Sequence, residues 1–529
     1  MVTETLAELV FGLVYPIGTN ADPVAKLLEK YLKQYGYKTE QFRVSEHLRS
    51  LRLGIPFERL STFAEMTALM DAGNAARRKA TSNSILATMA INDIADLRTD
   101  GGKRPPVARK RVAHLIRSLK RPEEVKLLRD VYRPGFFLIG IADDDDSQTA
   151  YLTKELGLTE DEAKQVLERD QDEDKFYGQR TRGTFYLADV FIDLRDGKYR
   201  DQLHRFLELV FGHPFFTPTR EEHAMFMAYA SAARSAQLGR QVGAAIATPE
   251  GDVIAVGMNE VPSPRGGLYW EGDEDDSRDH KRTVDSNFQR RNQIVNSVIK
   301  RLDGKLFTTR RLSAVLREIL KVMEPTLGES GLNKRSREIL QSLPDKGATI
   351  SEISTSIHDS DLNEITEYGR AVHGEMDALL CCARLGISVR GKHLFVTTFP
   401  CHNCTRHIVA AGIRKVYYIE PYPKSKALDL HSDAICFDEK EAAKFGKVPF
   451  LPFVGIGPRR YLDLFSLELS SGRRVERKNK RGEPVVMPKA KRTPRLPMIS
   501  LSYLEREDKL LEEHEDVIKA LHGKNHGKN

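Results

Sequence analysis

The sequence predicts an α/β chain with two structured parts and a basic C-terminal stretch, and three observations lead there. Strand-length apolar runs alternate with helical patterns over about 1–215. From about 216 to 465 a hairpin, helices and further strands carry His373, Cys401 and Cys404 at metal-ligand spacing. Beyond 466 the composition turns basic and then Glu/Lys-rich.

Size and composition bound the possibilities. A chain of 529 residues has room for two to four domains at roughly 100–200 residues each. With 40% hydrophobic and 30% charged residues it is neither a fibre nor a wholly disordered chain. The best apolar run, Phe136–Ala142, is strand-sized and far short of the ~18 residues of a membrane span, so no membrane partner is expected. Glu4 and Glu8 sit where a secretory leader would be basic and apolar. Five cysteines cannot build a disulfide framework. These features predict a soluble cytoplasmic protein. Net charge is +7, but Arg473–Arg495 holds ten Lys/Arg against two Glu, a surplus of eight. The remainder is near neutral, so basicity belongs to one segment.

In chain order, Leu9–Val14 reads as a buried strand, Gly18-Thr19-Asn20 as a turn, and Asp22-Pro23 as the start of a helix over Val24–Tyr35. Strands are predicted again at 136–142 and 190–192, which favours a parallel sheet. Thr217-Pro218-Thr219-Arg220-Glu221-Glu222 starts the next helix, over Met225–Leu238. Gln241–Ala247 and Asp252–Met258, separated by Pro249-Glu250-Gly251, form a hairpin. A polar, helix-rich insertion covers about 271–366; helix, strand 393–398, short helix and strand Lys415–Glu420 follow. The predicted units are therefore 1–215, 216–465 and a partly disordered tail, 466–529.

The chemistry concentrates at His373-Gly374-Glu375 and Pro400-Cys401-His402-Asn403-Cys404. One His and two Cys suit tetrahedral zinc with one position left for water, whose pKa zinc lowers toward ~7. Glu375 lies two residues from His373, placed to carry protons without ligating. Cys401 and Cys404, three apart, face one metal from a single helical turn. A fourth ligand from His402, His407 or His431 would instead make a closed structural site. Cys381 and Cys382 read as small core residues. Asn259 ends a strand where a pocket would open, and is either a sugar contact or a turn residue.

At these residues the sequence resembles the cytidine and deoxycytidylate deaminase superfamily, whose His-x-Glu and Pro-Cys-x-x-Cys pattern it carries. Arg234-Ser235, Arg240–Ala244, Gly257-x-Asn259, Tyr368–Glu375 and Tyr418–Tyr422 extend the resemblance. Most of the chain, excluding its extreme C-terminus, is similar to bacterial anti-phage dCTP deaminases. The resemblance implies a P-loop-kinase-like parallel α/β domain followed by a cytidine-deaminase-like α/β/α domain with a central five-stranded sheet. It implies zinc on His373, Cys401 and Cys404, Glu375 as proton shuttle, Asn259 on the sugar, and a homo-oligomer. The implied substrates are dCTP or dCMP, converted to deoxyuridine nucleotides. Gly374 stands where Ala is commoner in the family.

A working P-loop needs Gly-x4-Gly-Lys-Ser/Thr. Here five residues separate Gly12 from Gly18, and Thr19-Asn20 replaces Lys-Ser/Thr. Phosphate cradling by Gly12, Gly18, Thr19 and Asn20 is expected without phosphoryl transfer. Further candidate phosphate contacts are Gly73–Arg77, Arg169, Arg180 and Arg182, each with an ordinary salt-bridge reading beside it. A dCTP-draining enzyme needs an off state, so a nucleotide or other phosphate-bearing effector is expected at this domain. The competing functions are a nucleic-acid editor using the basic tail, a housekeeping dCMP deaminase, and an inert nucleotide sensor. The tail lacks aromatic residues for base stacking, and the intact ligands with Glu375 argue against inertness.

Overall fold

The computed structural model describes residues 8–99, 107–297, 368–420, 425–468, 475–496 and 500–522, apart from 172, 174–175, 196, 265, 284 and 480. Most of the predicted insertion, with Pro421-Tyr422 and the last seven residues, lies outside the described residues.

In β1 (Leu9–Val14) all six residues are buried, as a strand covered on both faces requires. It lies at the centre of a sheet with β2 (Lys38–Arg43), β3 (Val112–Arg117), β4 (Phe136–Ala142) and β5 (Val190–Asp193). The order is β5-β4-β1-β3-β2, and every pairing among these five strands is parallel. Helices Asp22–Gln34 and Tyr199–Val210 cover one face through Leu28, Leu32, Phe206 and Leu207. Ile85–Thr99 and Pro122–Tyr132 cover the other.

The second sheet contains β6 (Gly243–Ala247), β7 (Val253–Met258), β8 (His393–Thr398), β9 (Lys415–Glu420), β10 (Ile435–Cys436) and β11 (Val448–Pro452). Its order is β10-β11-β9-β8-β6-β7. The β6–β7 hairpin and the β6–β8 pair are antiparallel; β8, β9 and β11 run parallel. Five strands are thus joined by a sixth, two-residue edge strand that its length hides in the sequence. The helix Arg220–Ala232 packs on one face, while Gly374–Leu385 and His402–Ala410 pack on the other. One continuous core joins Phe191 and Leu138 of the first sheet to Met225, Phe395 and Phe453.

The described parts of the segment expected as a tail, 475–496 and 500–522, pack against the rest of the chain. The chain returns to the first sheet at β12 (Gly455–Ile456), which pairs antiparallel with β5. Lys489 and Arg492 bond Glu208, Arg477 donates to the Pro214 carbonyl, and Arg495 to that of Leu464. Arg492 and Arg495 are buried on these acceptors and Lys489 is half-buried, while Arg477 stays exposed. The terminal helix Ser500–His522 then docks beside Ile85–Thr99. At that seam Arg98 bridges Glu8 and Glu507, with Tyr503 and His114 completing the hydrogen bonds to Glu8. All five side chains are essentially inaccessible, so each charge depends on its partners. Among the described residues no helix is long and apolar enough to cross a membrane.

Candidate metal centre

Two helix starts bring the ligands together. His373 is the N-cap of Gly374–Leu385 and Cys401 the N-cap of His402–Ala410, both with extended backbone. Cys404 lies one turn into the second helix. His373 Nδ1 is 3.4 Å from Cys401 Sγ and 3.3 Å from Cys404 Sγ. Both thiols are buried.

Backbone contacts fix these helix starts. Val372, just before His373, exchanges hydrogen bonds with Glu260 in both directions (3.0 and 3.2 Å). Strand β7 lies against the first turn of the His373 helix so closely that a Cβ on Gly257 would stand 2.3 Å from the Gly374 carbonyl oxygen. Only glycine permits that approach. A Cβ on Gly374 would meet the Val242 carbonyl oxygen at 3.0 Å, a physical reason for glycine where the related pattern has alanine.

Glu375 follows on the first helical turn and is 4% exposed. Burial pushes its carboxyl up to about 7, where it both accepts and returns a proton near neutrality. Hydrogen bonding from Cys404 and His373 pulls the Cys401 thiol down to about 4. The bond to Cys401 raises His373 to about 9. A metal reverses the second of these, because imidazole ligates only when neutral.

The donor set fits zinc. One imidazole nitrogen and two sulfurs, mutually within 4.8 Å, surround a common centre. Among the described residues, this is the sole such cluster, and His402, His407 and His431 do not join it. Among the described residues no fourth His, Cys, Asp or Glu joins the cluster, the arrangement a catalytic site requires.

The remaining predicted residues fall in different places. Asn259 directly follows β7, and its amide clasps the neighbouring loop: Oδ1 accepts from Val242 N–H (2.7 Å) and Nδ2 donates to the Arg240 carbonyl (2.8 Å). Cys382 is in the core and Cys381 packs against it. Gly12 is inside β1, where a Cβ would strike Leu119, so it is a packing glycine outside any phosphate loop. Gly18, Thr19 and Asn20 do follow the strand. Gly18 has φ +86° in a turn closed by Thr19 N–H to the Pro16 carbonyl, and Asn20 Oδ1 accepts from Asp22 N–H. The candidate phosphate arginines are engaged internally: Arg77 with Glu124, Arg169 with Asp71 and Glu173, Arg182 with Gln171.

Sequence reasoning missed Glu260. Its buried carboxylate accepts from Ala236 N–H, Val261 N–H and Gln237 Nε2, tying the chain after β7 to the segment that carries His373. An acid next to Asn259 at a strand end was the available signal. A separate cavity of about 980 Å³ is lined from both sheets but by none of His373, Glu375, Cys401 and Cys404. Asp143, Asp144 and Arg195 line it from the first sheet, and Phe399, Tyr418 and Phe437 from the second.

Residues 333–420 match the family model described as the cytidine and deoxycytidylate deaminase zinc-binding region. ComE operon protein 2 of Bacillus subtilis (strain 168) is 43% identical over 53 residues, which is 10% of this chain and 28% of that protein. The deoxycytidylate deaminase of Enterobacteria phage T2 is 42% identical over 55 residues, 10% of this chain and 29% of the phage protein. The chain thus spans under a third of the length of these relatives. A crystal structure of dCMP deaminase from the cyanophage S-TIM5 is 16% identical over 45% of this chain and 100% of its own. Its TM-score of 0.20 is too low to bear on the fold.

Proposed function

We propose that the chain hydrolytically deaminates the cytosine of free deoxycytidine nucleotides, with dCTP the principal substrate and dCMP the alternative. The observation that carries this reading is the open His373–Cys401–Cys404 cluster with the buried Glu375 carboxyl, held near neutrality, on the adjoining helical turn. The deaminase zinc-binding match over 333–420 and the likeness to phage deoxycytidylate deaminases support the same chemistry.

His373, Cys401 and Cys404 would hold zinc, which would supply an acidified water. Glu375 would take a proton from the attacking water and deliver it to N3 of the ring as oxygen adds to C4. It would then carry the proton of the new C4 hydroxyl to the exocyclic nitrogen, so that the C4–N bond breaks and ammonia leaves with a uracil ring remaining. Burial suits Glu375 to this double duty, because a carboxyl near pKa 7 gives and takes protons at comparable cost. Asn259 has one amide hydrogen and one lone pair beyond its clasp bonds for a sugar hydroxyl.

Free nucleotide is favoured over polymer because Lys489, Arg492 and Arg495 bond internal acceptors and the basic stretch Arg473–Arg495 holds no aromatic residue for base stacking. With the first sheet and its C-terminal strap as an attached control unit, removal of dCTP would starve phage replication. Purified zinc-loaded protein is incubated with dCTP, dCMP, CTP and single-stranded DNA, and uracil formation is followed. Uracil from free deoxynucleotides is the expected result. A dCMP-only product profile would point to housekeeping metabolism, and a DNA-only profile to editing; either would overturn the dCTP assignment.

A further inference from the structure

The turn after β1 is where a parallel α/β sheet of this kind offers backbone N–H groups and a helix start to an anion. Here the anion is already present. The Asp170 carboxylate, at the end of the helix Glu160–Gln171, is essentially inaccessible and accepts from the Ile17 N–H at 2.9 Å. Lys120 Nζ stands 2.9 Å from one Asp170 oxygen and 3.1 Å from the other, and it also donates to the Tyr15 carbonyl at 2.8 Å. A lysine, a turn amide and an anion between them make the arrangement a bound phosphate would take, with a side chain as occupant.

The neighbouring charges are spent in the same way. Asp22 occupies the first turn of the helix after the loop, where it answers the helix dipole and pairs with Arg117 and Arg43. Thr19, on the same turn and 6% exposed, has a hydroxyl with no partner among the described residues. Gln148, against Gly18, likewise has an unpartnered buried Oε1. The turn is thus polar and balanced by its own acids.

We propose that this turn is an anion cradle self-ligated by Asp170, which seals the first sheet against phosphate-bearing ligands. The tripartite contact of Ile17, Lys120 and Asp170 is the seal. A phosphoryl group reaches the cradle only after Asp170 leaves, which requires the end of its helix to move away from Lys120. The nucleotide effector expected from the sequence therefore finds this site shut in the wild-type chain.

The test uses the zinc-loaded full-length chain and inorganic pyrophosphate, with binding read by titration calorimetry and folding by thermal melting. Wild type is expected to show no saturable binding. Asp170→Asn, nearly isosteric, and Asp170→Ala free the Lys120 charge and should tighten pyrophosphate binding by on the order of tenfold or more. Adding Lys120→Ala to either variant should remove the gain. Saturable wild-type binding that Lys120→Ala abolishes would overturn the proposal. So would unchanged affinity in Asp170→Asn or Asp170→Ala when the variant melts cooperatively at a wild-type temperature.

Discussion

Gly257→Ala is the perturbation that most directly connects the sheet to the metal centre without touching a ligand. The new Cβ would lie 2.3 Å from the Gly374 carbonyl oxygen, 2.4 Å from Ala378 N and 3.0 Å from Ala378 Cα. These are backbone atoms, so no side-chain rotation relieves the clash. Reaching even a 3.0 Å contact requires strand and helix to separate by about 0.7 Å. Overpacking of this kind costs about 1–3 kcal/mol. The functional effect is larger than the stability effect, because the displaced turn carries His373 and Glu375. Metal–ligand distances tolerate only ~0.2 Å, and a shift approaching 1 Å in a reacting group costs on the order of 100-fold in rate. The assay measures zinc per chain, melting temperature and deamination rate on one preparation. The expected variant is folded, metal-depleted and slower by about two orders of magnitude. Full zinc content with wild-type turnover would refute the claim that this strand–helix contact sets the ligand geometry.

Cys401→Ser and Cys404→Ser should each lose zinc and lower the melting temperature, checked by metal analysis and calorimetry, because hydroxyl replaces thiolate poorly. Glu375→Ala should retain zinc and fold while turnover falls toward the upper end of ~10²–10⁴-fold, read by uracil formation. Asn259→Ala leaves Val242 N–H and the Arg240 carbonyl without their partner. It should raise KM for nucleotide and cost about 1–3 kcal/mol of stability, measured by kinetics and denaturation. Glu507 gives a pH dependence. Burial pushes its carboxyl up to about 7 while the usual value is 4.5, so the folded state binds the extra proton and stability falls as pH rises between those values. Glu507→Gln removes that loss, and its stability relative to wild type should climb from pH ~5 to ~7 in chemical denaturation.

The metal centre was legible in the sequence because its information is local. His373 and Glu375 are two residues apart, Cys401 and Cys404 three, and each pair sits at a helix start announced by its own pattern. The strands Leu9–Val14, Phe136–Ala142 and His393–Thr398 were legible for a similar reason, being short apolar runs. In contrast, β2 reads Lys-Thr-Glu-Gln-Phe-Arg, an edge strand with Phe42 its one buried side chain, so its composition resembles a loop. In β3 a histidine interrupts the apolar run, and His114 is buried only because Glu8 accepts its hydrogen bond. The C-terminal return was illegible because its logic is long-range. Arg492 finds Glu208, and Glu507 finds Arg98, hundreds of residues away. A Lys/Arg-rich stretch carries no local mark of those partners. The β1 turn failed in the same manner: Gly18 is visible, whereas the carboxylate that fills the turn comes from Asp170.

The central claim is that the His373–Cys401–Cys404 cluster with Glu375 deaminates a free deoxycytidine nucleotide. Its most direct test follows dUTP formation from dCTP by zinc-loaded wild type and zinc-loaded Glu375→Ala, side by side at equal metal content. The account predicts stoichiometric dUTP and ammonia from wild type and a loss approaching ~10⁴-fold in the variant. Equal rates from the two proteins, or no dUTP from fully metallated wild type, would contradict it.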